Sequence, residues 1–271
     1  MLLPLLFVLF TSAHAQERRL EEKPVWEAGL ATGLISLPHY MGSDERYLLP
    51  LAFPYIIYRG EVFKVDRQGL RSRLLETMRM TVDLDFGFGL PVKKGNKARE
   101  GMPPLYLTGQ VGPQLNWYWL TDEHMEAVVH LPVRGALNVR GDYIGWLIEP
   151  SMHVEFEDFG PGEAFSSKTE IGLLYASQRY NDTYYGVAPQ YATATRPAYQ
   201  ARQGLHSIYL STNLNYEVYD GFWTGVFLRL RDLSQGVVAD SPLVKSKYYT
   251  SVGIGFIWRL GQSDDTVMAE K

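Results

Sequence analysis

The chain contains no cysteine. It therefore has no disulfide framework, no thiol nucleophile and no thiolate metal site, and its fold must rest on a large core or a closed hydrogen-bonded sheet. No run of about 18 apolar residues occurs, which excludes a helical membrane span. Stretches with the 3.6-residue period of an amphipathic helix are few, and the strand–helix alternation of an α/β enzyme is missing. Charge is nearly balanced. With 26 Lys and Arg against 30 Asp and Glu, the net of −4 gives no general argument for nucleic-acid binding.

What is present is alternation. Through residues 77–91, Met78, Met80, Val82, Leu84, Phe86, Phe88 and Leu90 fall on one face. Arg79, Thr81, Asp83, Asp85, Gly87 and Gly89 fall on the other. A period of two means a β-strand, and this one is about twice the usual length. Large apolar groups facing charge and glycine suit a wall between lipid and a wet interior, which needs about 9–11 tilted residues per crossing.

The same pattern recurs. In residues 143–157, Ile144, Trp146, Ile148, Pro150, Met152, Val154 and Phe156 oppose Tyr143, Gly145, Leu147, Glu149, Ser151, His153, Glu155 and Glu157. In residues 105–120, Leu105, Leu107, Val111, Leu115, Trp117 and Trp119 oppose Tyr106, Thr108, Gln110, Gln114, Asn116 and Tyr118. In residues 247–260, Tyr248, Val252, Ile254, Phe256, Trp258 and Leu260 oppose Ser251, Gly253, Gly255 and Arg259. Aromatics gather near the segment ends, as interface girdles do. A soluble barrel with the apolar faces turned inward would have to pack more Leu, Phe and Trp than one small barrel holds.

Strand-like segments cover residues 26–37, 46–58, 61–70, 77–91, 105–120, 124–139, 143–157, 168–180, 204–219, 221–233 and 247–260. The links Arg140-Gly141-Asp142 and Tyr219-Asp220-Gly221 have hairpin chemistry, and residues 181–203 form the longest link. The expectation is an all-β, transmembrane, up-and-down antiparallel β-barrel. Even parity then favours about 12 strands, with ten as the fallback.

At the N-terminus, residues 1–10 are apolar and Thr11-Ser12-Ala13-His14-Ala15 ends in an A-x-A pattern, so a secretory signal cleaved after Ala15 is expected. No Lys or Arg precedes its apolar core. The chain then divides into a signal peptide (1–15), an outer-membrane barrel (16–260) and a polar tail (261–271).

Catalytic motifs are missing: the histidines show no HExxH spacing, and no G-x-S-x-G or S-x-x-K carries a nucleophile. His206 and Ser207 are adjacent on a strand, where neighbours point to opposite faces, so they are not expected to act together. Glu149, His153, Glu155 and Glu157 share one face. They read as a metal or proton site, or as part of a lumenal ion network with Arg79, Arg134 and Arg229, and a wet interior favours the network. No metal or cofactor is assigned.

The link carrying Lys93, Lys94, Lys97 and Arg99 suits lipopolysaccharide phosphates if exterior, or an acidic partner if periplasmic. Together with Tyr184, Tyr185, Tyr191 and Tyr199 of the long link, it supplies the expected interaction loops, since wall residues are committed to lipid or lumen. The long link serves either recognition or plugging of the lumen.

Several motifs in order resemble the MipA/OmpV family. These are Pro38-His39-Tyr40-Met41-Gly42-Ser43-Asp44 with Leu49-Pro50-Leu51, Gly69-Leu70 after Phe63, and Arg99-Glu100-Gly101-Met102-Pro103 leading to Gly112-Pro113. Further on come Tyr184-Tyr185-Gly186-Val187, Ala198-Tyr199, Gly204-Leu205, Asp240-Ser241-Pro242-Leu243-Val244 and the closing residues 253–260. The resemblance implies an outer-membrane barrel of a Gram-negative bacterium. The family is named for a member that bridges a membrane-bound lytic transglycosylase and a bifunctional murein synthase, and other members are described as porin-like or adhesive. Family chains usually finish on an aromatic residue of the last strand, whereas here Leu260 takes that place and a tail follows. A non-catalytic scaffold for murein-remodelling enzymes is therefore expected first, a small-solute pore second and a lipid-modifying barrel enzyme third.

Overall fold

The computed structural model describes residues 20–59, 64–66, 69–71, 73–77, 79–92 and 95–270. The expected signal peptide, the Arg59-Gly60 turn beyond Arg59, and Lys93 and Lys94 lie outside the described residues.

The strands are β1 (Leu20–Pro24), β2 (Trp26–Pro38), β3 (Arg46–Arg59), β4 (Lys64–Asp66), β5 (Gly69–Arg71), β6 (Arg73–Glu76), β7 (Met80–Gly89) and β8 (Thr108–Thr121). They continue as β9 (Met125–Asn138), β10 (Tyr143–Ile148), β11 (Ser151–Phe159), β12 (Phe165–Ala176), β13 (Gly204–Tyr219), β14 (Phe222–Asp232), β15 (Tyr248–Gln262) and β16 (Thr266–Glu270). A single α-helix among the described residues, α1 (Gln178–Tyr185), lies between β12 and β13.

Fourteen strands form one sheet running β5-β4-β3-β2-β15-β14-β13-β12-β10-β9-β8-β7-β6, with β11 between β12 and β9. Every pairing is antiparallel. The two ends of this path, β5 and β6, are parted on the chain by residue 72 alone and count as one strand. β10 and β11 are likewise halves of one crossing, parted at Glu149-Pro150, where proline has no N–H to give to the ladder. Counted this way the fourteen make twelve antiparallel segments, of which β4 has three described residues, paired with the end of β3 at Tyr58 and Arg59.

The alternation is inside-out. On β7, Thr81 and Asp83 are buried toward the lumen, while Met80, Phe86 and Phe88 are exposed outward. On β15, Tyr248, Val252, Ile254, Phe256, Trp258 and Leu260 face out, as read from the sequence. Trp26, Tyr58, Trp119, Phe159, Tyr219 and Trp258 ring the end that holds the start of β2 and the end of β15. At the opposite end Phe88, Tyr143 and Tyr248 are exposed. An apolar outer band between aromatic girdles is the surface a bilayer requires.

Three local expectations need correction. Ile144 is buried rather than outward, because a bulge between Tyr143 and Gly145 shifts the register against β9. Gly145 sits at φ +127°, and a Cβ there would lie 2.4 Å from Ser177 Oγ, so only glycine lets α1 approach the wall this closely. Leu105 is buried ahead of β8, bridging Val92 instead of facing out. The tail also carries structure: β15 continues to Gln262, and β16 pairs with β1 as a separate two-stranded ribbon.

Candidate functional site

The two ends of the barrel differ. At the end bearing β1 and β16 the links are short, as in Tyr219-Asp220-Gly221, with Gly221 at φ +82°. At the far end the links 39–45, 90–107, 177–203 and 233–247 are long and converge on one apolar cluster. That cluster holds Tyr40, Val92, Met102, Leu105, Tyr180, Tyr184, Tyr185, Leu233, Val238 and Leu243, packed on Ala136, Ile144, Leu147 and Leu174 of the wall. It forms a cap over the lumen. Each fully buried large side chain contributes about 1.5–3 kcal/mol, so the cap is a second core rather than a set of loose loops.

Side chains stitch these links to one another through backbone carbonyls. Tyr40 donates to the Leu243 carbonyl at 2.7 Å, and Arg99 donates to the Tyr184 carbonyl at 2.7 Å. Arg196 donates to the carbonyls of Ala98 and Glu100 at 3.0 and 2.8 Å. Tyr199 donates to the Val237 carbonyl at 2.8 Å, and Ser241 donates to the Tyr185 carbonyl at 2.8 Å. Ser177 caps α1, its Oγ accepting from the Tyr180 N–H. Burial pulls the Arg99 guanidinium below its ordinary value and pushes the phenols of Tyr180, Tyr184 and Tyr185 up.

This arrangement corrects the expected interaction loops. Arg99, Tyr184 and Tyr185 are buried and committed to the cap, so they are not exposed anchors. Arg99 donates to the Tyr184 and Pro103 carbonyls, which removes it as a bidentate phosphate ligand, while the Tyr184 hydroxyl meets Thr108 Oγ1 at 3.3 Å and Tyr185 donates to the Met41 carbonyl. Lys97 is exposed, and Tyr191 and Tyr199 are half-buried at the cap's edge. Of the two roles weighed for residues 181–203, the cap geometry corresponds to the plug.

Beneath the cap the lumen is polar and arranged in tiers. In the first, Glu149 receives Arg134 and Arg231, and Asp85 lies 3.4 Å from Arg134. His206 and Ser207 sit here too. Contrary to simple alternation, both turn inward, because His206 is the extra residue of a bulge opposite Leu174 and Tyr175. Their Nδ1 and Oγ are 2.9 Å apart, sealed beneath Tyr185 at 0% and 1% exposure.

In the next tier Asn116 donates to Asp83 at 2.6 Å, and its Oδ1 lies 2.6 Å from His130 Nδ1. His130 Nε2 meets His153 Nδ1 at 2.7 Å, and Tyr209 donates to Glu170 at 2.9 Å. Toward the open end, Glu126, Glu155 and Lys168 stand in register across β9, β11 and β12. The face expected to gather Glu149, His153, Glu155 and Glu157 is thus divided. Glu149 belongs to the arginine tier, His153 and Glu155 meet Glu126, and Glu157 lines the mouth. Of the bases anticipated, Arg134 pairs with Glu149, while Arg229 lies 4.0 Å from Glu170. Glu126 and His130 were missed because they lie on another strand, and only the β9–β11 register brings them near. Below these tiers a cavity of about 910 Å³ opens at the end with the short turns, lined by Glu27, Tyr118, His124, Glu126, Lys168 and Trp223 among others.

An antiparallel ring with an apolar exterior and an ionised, water-accessible interior defines a β-barrel of the outer-membrane class. The chain belongs to the family described as MltA-interacting protein MipA, whose model matches residues 30–260. No curated protein matches the chain significantly. Among solved structures it is similar to a bacterial polysaccharide outer membrane secretin at 8% identity and a TM-score of 0.43, over 87% of this chain and 99% of that one. It is also similar to the CymD monoaromatic hydrocarbon channel at 9% identity and a TM-score of 0.30, over 90% of this chain and 68% of that one.

Proposed function

We propose that this chain is a non-catalytic barrel of a Gram-negative outer membrane that serves as a scaffold for murein-remodelling enzymes, holding a lytic transglycosylase beside a bifunctional murein synthase. The carrying observation is membership of a family named for interaction with MltA. The capped lumen supports it, since a barrel closed by a packed apolar cluster is not built for free passage. The sealing of His206 and Ser207 supports a non-catalytic role. Outer-membrane barrels have short periplasmic turns and long extracellular loops. In that orientation the cap faces outward, while the cavity mouth and the β1–β16 ribbon face the periplasm, where murein lies. The docking surface is then the short-turn end rather than the two long links. Lipid covers the outer band, and lipopolysaccharide meets the exposed rim of the cap.

The test is retention of a purified lytic transglycosylase by the full-length barrel in detergent, with planar-bilayer conductance measured on the same preparation. Retention without stepwise conductance is the expected result. Conductance without retention would replace the scaffold by the second reading, a small-solute pore, which the 910 Å³ cavity favours.

A further inference from the structure

Glu126 on β9 and Glu155 on β11 are directly opposite in the ladder. Like charges in that position are destabilising unless a cation lies between them. Lys168, opposite Glu155 on the other side, supplies part of the compensation at 3.1 Å. The remaining feature at this place is His153, which is 2% exposed and whose Nε2 has no hydrogen-bond partner. That nitrogen points between the two carboxylates, 3.8 Å from Glu126 Oε1 and 3.9 Å from Glu155 Oε2.

The hydrogen-bond chain behind His153 decides what Nε2 offers. Asn116 uses its amide N–H groups on Thr81 and Asp83, so its Oδ1 faces His130 Nδ1 as an acceptor. His130 therefore carries its proton on Nδ1 and presents a lone pair at Nε2. His153 Nδ1, 2.7 Å away, must donate to that lone pair. With its proton fixed on Nδ1, neutral His153 turns an Nε2 lone pair toward two anionic oxygens. Three electron-rich groups converge, and the donor that reaches them is the Lys168 ammonium, on Glu155 Oε2. Orientation of a ligating imidazole by a hydrogen bond from its other nitrogen is the usual outer-shell device of metal sites.

We propose that Glu126, His153 and Glu155 form a divalent transition-metal site, facing the cavity and open on that side to water or an exogenous ligand. The donor atoms of all three lie within 4.8 Å of one another. Tetrahedral zinc, with bonds of about 2.0–2.2 Å, needs donors about 3.3 Å apart, so the carboxylates close on His153 Nε2 by about half an ångström and on each other by up to about 1.5 Å. One imidazole with two carboxylates suits Zn²⁺ or Mn²⁺ and excludes a thiolate-type soft site. The neighbouring carboxylates are engaged differently. Asp83 accepts from Asn116, Glu149 from Arg134 and Arg231, and Glu170 from Tyr209. Lys168 is the competitor, because its ammonium and the metal seek the same oxygen of Glu155.

The test is calorimetric titration of the full-length barrel in detergent with ZnCl₂, each variant first shown to be folded by heat-modifiable gel migration. One Zn²⁺ per chain is expected. Glu126→Gln and Glu155→Gln should each weaken binding at least tenfold, and His153→Gln should abolish it. His124→Gln, at the exposed mouth, should leave it unchanged. Lys168→Met should tighten binding severalfold, a gain that a merely structural ion network would not give. No binding by the folded wild type up to about 1 mM Zn²⁺ would overturn the proposal. Equal affinities in wild type, Glu126→Gln and Lys168→Met would do the same.

Discussion

The phenolic oxygen of Tyr185, on α1, lies 2.8 Å from His206 Nε2, on β13. The same hydroxyl donates its one proton to the Met41 carbonyl at 2.9 Å, so it accepts from His206, whose proton is fixed on Nε2. Nδ1 then accepts from Ser207, and Ser207 Oγ accepts from Arg231 at 2.8 Å. A continuous chain of donors runs from the barrel wall through the cap helix into the link 39–45. Cap and wall are therefore one cooperative unit, and Tyr185 is where they join.

Truncation at that junction should release the cap without dismantling the barrel. Tyr185→Ala is expected to cost about 3–5 kcal/mol locally, as for other large-to-small changes of buried aromatics. Tyr185→Phe should cost about 1–3 kcal/mol, since it leaves Met41 and His206 unsatisfied but keeps the packing. Hydrogen-exchange protection of residues 178–203 is the measurement. Unchanged protection in Tyr185→Ala would mean that the cap does not depend on this contact.

Replacing residues 181–203 by a short Gly/Ser turn should create conductance. The segment supplies Asn181, Tyr184, Tyr185, Val187 and Ala201, all buried in the cap or at its base. Planar-bilayer recordings should show steps that the wild type lacks, while retention of a murein enzyme persists because docking is assigned to the other end. Lost retention with no new conductance would return the loop to a recognition role.

The inside-out wall makes a pairwise prediction on β13. Leu214 is exposed to the lipid side, and Asn213 lines the cavity. Leu214→Arg should impair assembly by up to about 2–4 kcal/mol, scaling with its depth in the bilayer. Asn213→Arg should be mild. Asp83 on β7 is a poorer lumenal control, because it is buried and bonded to Asn116 and Thr81. Equal heat-modifiable migration of the two arginine variants would refute the orientation of the faces.

The wall was legible in the sequence because a period of two survives whatever the strand packs against. Met80 through Gly89 and Tyr248 through Leu260 needed no tertiary information. The cap was not legible. Its links have no period, and α1 has just eight residues, held by Ser177 and by contacts with distant wall positions such as Ile144. The tyrosines there looked like surface anchors because nothing local indicates what will cover them. Ile144 and His206 were misplaced for one shared reason: each sits at a bulge, and a bulge breaks the alternation that assigns faces. The site residues were half legible. His153 and Glu155 share a strand, but Glu126 and His130 enter through a register between strands that the sequence does not state.

The chain's end makes a truncation prediction. Gly261 and Gln262 still pair with Ala28 and Glu27 on β2, and Ser263 N–H donates to the Trp26 carbonyl at 2.9 Å. Deletion of residues 264–271 should leave the wall intact and free β1 from β16. Deletion of residues 261–271 should cost more, because it strips the last ladder bonds beside Trp26 in the aromatic girdle. Thermal shifts of heat-modifiable migration compare the two, and identical shifts would show that the wall ends before Gly261.

The cap should loosen in alkali. Burial raises the phenols of Tyr40, Tyr180, Tyr184 and Tyr185 above their ordinary value of about 10. The closed cap thus holds these protons more tightly than the opened chain does. The stability they contribute is complete below about pH 10, where both states are protonated, and is lost as the pH rises beyond it and the opened chain ionises first. The direction is opposite to that of a carboxylate pair, which fails in acid. Proteolytic nicking within residues 186–203 should therefore be flat from about pH 7 to 9 and rise steeply above about 10. The Tyr185→Phe variant, with one phenol fewer, should show a shallower rise. Opening that sets in near neutrality, or that is as steep in Tyr185→Phe, would assign the control of the cap to groups other than its buried phenols.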